Sequence, residues 1–84
     1  MANTSGWRVN DVVAYEAMRE SATTLTALLL RATTSRALAP DDVLVELAEL
    51  RRAVLKVDGY NRDAVSALTE RITGRIRLLS RADQ

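Results

Sequence analysis

The chain has 84 residues, with twelve basic and eleven acidic side chains, a net charge of +1, and neither cysteine nor histidine. These absences exclude disulfides, thiol catalysis, a histidine general base and zinc sites of the usual Cys/His kind. The near-zero net charge provides no whole-molecule field to attract nucleic acid or a membrane surface. One Trp, two Tyr and no Phe leave the core to Leu, Val, Ile, Ala and Met, and so short a chain makes one domain with a thin core.

Every basic residue except Lys56 is arginine, a bias spread along the whole chain that reads as GC-rich, bacterial coding. The start, MANTSGWRVND, has no apolar stretch of signal-peptide type. The longest wholly apolar run, Ala27 to Leu30, is far too short to span a bilayer. A cytoplasmic protein is expected.

Residues 1–9 read as a flexible N-terminal arm, because Asn, Thr, Ser and Gly favour turns and disorder. Residues 10–84 read as a single helical domain. Asn10 suits an N-cap and Asp11 the positive end of a helix dipole. Helix 1 is predicted over about 11–34, where Tyr15, Met18, Ala22, Leu25, Leu29 and Ala32 recur at spacings of three and four. Val13, Ala17 and Leu28 widen this stripe to about half the circumference, more than a two-stranded coiled-coil seam. TTSRALAP ends the helix. The residue before Pro40 disfavours helix, and Pro40 with Asp41 and Asp42 suits the first turn of the next.

Helix 2 is predicted over about 40–57, with Val43, Leu47, Leu50, Val54 and Val57 inward and Gly59 as a C-cap. Asn61 suits the N-cap of helix 3, over about 62–80, with Val65, Leu68, Ile72, Ile76 and Leu79 inward. Gly74 within that helix suggests close approach of another helix. The fold class is therefore all-α: a three-helix antiparallel bundle, helices 2 and 3 forming a tight hairpin. At 1.5 Å per residue helix 1 is about 36 Å long, against about 26–28 Å for its partners. Its leucine-bearing end is expected to overhang and to be covered by a second copy or a partner protein.

Arg51 is the least expected residue, in the apolar arc of helix 2 between the directions of Leu44 and Leu47. One reading is an anion-binding or intersubunit arginine. The other is a long stem lying on apolar surface with its head in water.

The segment Leu50-Arg51-x-x-Val54-x-x-Val57-Asp58 resembles the first-helix motif of the all-helical chorismate mutase family. The resemblance covers about residues 47–72. It implies one continuous helix there, a carboxylate-binding role for Arg51, and a similar role for Arg71 within ALTER (Ala67 to Arg71). Gly59-Tyr60-Asn61 departs from the pattern, and the family's lysine and later polar helices have no counterpart in this sequence.

Helix 3 is the most basic element. Arg71, Arg75, Arg77 and Arg81 are candidate anion or nucleic-acid contacts, although they spread around the helix and alternate with acids. Asp41 and Asp42 read as a helix start, and Glu46 and Glu49 as the outer face of helix 2. No metal ligand set and no phosphate loop can be assembled. Thr23, Thr24, Thr26, Thr33 and Thr34 form a neutral polar face.

The expected function is a small bacterial helical protein-interaction module, an adaptor, regulator or phage-type accessory protein. It would be a homodimer or bind a partner protein, with no catalytic residue, no cofactor, no metal and no small-molecule substrate. Its expected contact residues are Trp7, Tyr15, Met18, Ala22, Leu25, Leu28, Leu29 and Arg51. The alternatives are a DNA-associated transcriptional regulator or antitoxin using helix 3, and a chorismate-mutase-like enzyme.

Overall fold

A computed structural model of the chain describes residues 9–82, with side chains described for residues 11–81. Trp7 and residues 1–8 of the expected arm lie outside the described residues, while Val9, expected in the arm, is helical. Those described form a three-helix bundle without strands: α1 (Val9–Thr34), α2 (Pro40–Lys56) and α3 (Arg62–Ala82). Helix α1 begins one residue before Asn10, so Asn10 lies inside the helix and not at its cap.

The end of α1 is built by its own backbone. Arg36 adopts φ 64°, the left-handed conformation that reverses the chain after a helix. Its N–H donates to the Thr33 carbonyl at 3.2 Å, and the Ala37 N–H donates to the Ala32 carbonyl at 2.9 Å. This is the Schellman pattern of paired bonds, here with arginine at the position glycine usually fills. Leu38 then packs back against the core. The leucine-bearing end of α1 is therefore covered in part by its own chain: Leu29 and Ala32 are buried while Leu30 stays 53% exposed, and Leu29 shares the core cluster with Val43, against which Leu38 packs.

Ala39 is extended at φ −70°, ψ 141°, as a residue preceding proline must be. Pro40 then occupies the first turn of α2, where its missing N–H costs nothing. The Val43 N–H donates to the Ala39 carbonyl to start the helix. Helix α2 ends without glycine. Its C-cap is Val57 at φ −65°, ψ 132°, because leaving helical geometry through extended backbone needs no left-handed residue. The expected glycine cap at Gly59 is thus corrected. Gly59 lies in the tight turn that follows, where the Asn61 N–H reaches the Asp58 carbonyl at 2.9 Å. The Tyr60 N–H reaches Asp58 Oδ1 at 3.0 Å, an Asx-turn. Asn61 caps α3 as expected, its Oδ1 accepting from the Ala64 N–H at 3.1 Å.

The buried core is Met18, Leu25, Leu29, Ala32, Val43, Val65, Leu68 and Ile72. Helix α1 supplies four of these residues and α3 three, while α2 supplies only Val43. Helix α1 lies closest to α3, less closely to α2, and the backbones of α2 and α3 barely approach. The expected tight hairpin between helices 2 and 3 is replaced by two helices that lean separately on α1. Gly74 marks no close approach either, since a Cβ built there meets nothing within 4 Å.

Candidate functional site

An under-buried α2 leaves a groove on each side of it. Its stripe of Leu47, Leu50, Ala53, Val54 and Val57 is half-buried against the core. Leu44 (64%), Val45 (59%) and Leu55 (76%) stay largely exposed. Fully burying such a side chain stabilises by about 1.5–3 kcal/mol. Three of them more than half exposed forgo roughly 3–6 kcal/mol in total.

The first groove, about 660 Å³, lies between α2 and α3. Leu25, Leu50, Ala53, Leu68 and Ile72 are among its lining residues, and the exposed Val45 and Leu78 belong to it. Its charged residues are Asp42, Glu46, Glu49, Glu70, Arg71 and Arg75. Arg75 bridges the gap, Nε donating to Glu46 Oε2 at 2.7 Å and Nη2 to Oε1 at 2.9 Å. This two-pronged geometry matches the guanidinium fork to the carboxylate plane. The hydrogen bonds to Glu46, opposed by partial burial and aided by the carboxylate charge, hold the Arg75 proton more tightly than in a free arginine. Glu46 was expected on the outer face of helix 2. It is half-buried instead because α3 offers it Arg75, a long-range pairing that helical periodicity does not report.

The second groove, about 500 Å³, lies between α1 and α2. It is lined by Tyr15, Ala22, Leu47, Leu50, Val54 and Leu55, together with Thr23 and Thr26. The threonine hydroxyls donate to the carbonyls of Arg19 and Ala22 in the preceding turn, so their protons are engaged within α1. The charged residues lining this groove are Arg19 and Arg51 alone. Both are exposed, and neither guanidinium makes an ion pair or hydrogen bond among the described residues. The long stem of Arg51 lies beside apolar side chains while its head stays in water, as the arc-edge position suggested.

Of the other expected contact residues, Met18, Leu25 and Leu29 are enclosed in this chain's own core at 0%, 3% and 0% exposure. Tyr15, Ala22 and Leu28 are half-buried. Tyr15, Ala22 and Arg51 come together along the α1–α2 groove. Arg71 and Arg51 line different grooves, so one chain does not converge them on a shared ligand. The segment resembling a single mutase helix is two helices broken at residues 57–61. In α3, Arg75 is committed to Glu46, and Arg62 lies 3.9 Å from Asp11. Arg71, Arg77 and Arg81 are exposed.

No group of His, Cys, Asp and Glu among the described residues is placed to hold a metal ion. No helix among them is long and apolar enough to cross a membrane. No protein-family model matches the chain, and neither a curated protein nor a solved structure does.

Proposed function

We propose that this protein is a protein-interaction module of bacterial, cytoplasmic type, acting by binding itself and a partner protein. The observation that carries this reading is the state of α2, one fully buried residue against three large apolar side chains more than half exposed. A helix so poorly covered by its own chain gains most from contact with another. The bundle runs up, down and up, α2 antiparallel to its neighbours. The Asp11–Arg62 approach supports this course, since it sets the first turns of α1 and α3 side by side.

The reading includes a homodimer formed through the α2–α3 groove. A two-fold contact presents the same patch from both copies, so that patch must complement itself. This groove meets the requirement with exposed Val45 and Leu78 beside both acids and arginines. Light scattering after size exclusion tests it. The expected result is a dimer for the natural sequence and a monomer for Val45→Glu/Leu78→Glu, with helicity unchanged. A natural chain that stays monomeric at high micromolar concentration would remove the dimer from the proposal.

A further inference from the structure

The α1–α2 groove differs from its neighbour in one respect that decides what it suits. Its lining is apolar and uncharged except for Arg19 and Arg51, and no carboxylate shares it. Two copies meeting through this face would bring four guanidinium groups together with no carboxylate in the groove itself, Glu16 and Glu20 lying on α1 outside its lining, and like charges in apposition exclude the wrong partner. A second copy is therefore disfavoured here by the same self-complementarity rule that favours it at the α2–α3 groove.

We infer that the α1–α2 groove receives an acidic amphipathic helix of a partner protein, its apolar face against Ala22, Leu47 and Val54 and its carboxylates against Arg19 and Arg51. This rests on the reading of the chain as an interaction module and specifies the chemistry of the partner. The dimensions agree. From Tyr15 to Thr26 the α1 wall runs about 16 Å at 1.5 Å per residue, three turns of a docked helix. Small Ala22 leaves room for a side chain between the two walls. The occupied threonine hydroxyls add methyl surface without demanding a polar partner. Arginine on an apolar floor is also the residue best suited to hold a carboxylate in two-pronged fashion at an interface. A nucleic-acid backbone has no use for the apolar floor, which sets it aside as the occupant.

The test uses a designed, fluorescein-labelled 14-residue helical peptide with leucine at positions 2, 6, 9 and 13 and glutamate flanking the leucine stripe. A matched peptide carries lysine for every glutamate. Anisotropy titration of the natural chain is expected to show the glutamate peptide binding about tenfold more tightly than the lysine peptide, with the preference shrinking in high salt. Arg19→Glu/Arg51→Glu reverses the preference, and Arg19→Gln/Arg51→Gln abolishes it. Both pairs alter exposed side chains, and circular dichroism verifies their fold. Val45→Glu/Leu78→Glu, which addresses the dimer, leaves the preference intact, so failure of the dimer and failure of this site are read separately. Equal binding of the two peptides, binding of neither, or a preference unmoved by charge reversal overturns the inference. Displacement of the peptide by a short DNA duplex in proportion to phosphate also overturns it.

Discussion

The end of α1 offers the cleanest test of how this chain folds. Arg36 holds φ 64° to complete the Schellman turn. A residue with a Cβ gives up about 1–2 kcal/mol in that conformation, because the Cβ crowds the following carbonyl. Glycine avoids the crowding, but its freer unfolded chain takes back about 0.5–1 kcal/mol. Arg36→Gly is therefore expected to stabilise by about 0.5–1 kcal/mol. In a domain of this size that raises the melting temperature by about 2–8 °C. Arg36→Ala keeps the Cβ and removes only an exposed guanidinium, so it is expected to change little. Urea unfolding followed by circular dichroism compares the three proteins. Two protein concentrations separate folding from association, since self-association stabilises by mass action. If Arg36→Gly is no more stable than Arg36→Ala, the turn does not store the strain assigned to it, and the reasoning about this helix end fails.

Three further outcomes follow from the same structure. Gly74→Ala is expected to stabilise by about 1 kcal/mol in urea unfolding, because its Cβ enters open space; a loss would mean that something closely approaches that point of α3. A double-mutant cycle with Glu46→Gln and Arg75→Met is expected to give a coupling of about 0.5–1 kcal/mol, as both groups are about a third exposed and the pair is screened. The raised proton affinity of Arg75 makes this contribution complete while unfolded arginine is also charged. It disappears only when rising pH strips the folded guanidinium, far into alkali, so the coupling should not change between neutral and mildly alkaline pH. Asn61→Ala is expected to cost about 1 kcal/mol through loss of the cap on α3. An unchanged urea midpoint would show that the turn at Asp58 starts the helix without it.

The position of Arg51 shows how far helical periodicity reaches. Its place between Leu44 and Leu47 on the wheel marks it as an arginine at the edge of an apolar arc. That is where it lies, exposed beside Leu47 and Val54. Arg19 lines the same groove from another helix, so no local spacing connects the two. The same limit explains Glu46, assigned to the outside by its own helix and drawn inward by Arg75, 29 residues away. For Gly59 and Gly74, residue type alone suggests a C-cap and a close helix approach. The backbone uses neither as expected, because Val57 leaves the helix through extended geometry and α2 stands away from α3.

Local chemistry by itself determined the three helices and their approximate bounds, though not the caps at the start of α1 and the end of α2. Apolar spacing of three and four, Pro40 at a first turn and Asn61 at a cap are short-range preferences that act before any helix meets another. It also determined which face of each helix turns inward, since an apolar stripe faces the core, but not how deeply that face is buried. Only the tertiary structure decided how unevenly the helices share the core. Helix α1 packs mainly on α3 and leaves α2 with a single fully buried residue. The physical reason is that each helix chooses its burial face locally, while the distances between helices depend on side chains from all three at once. The two grooves beside α2, one charged with both signs and one only positive, are a product of that packing.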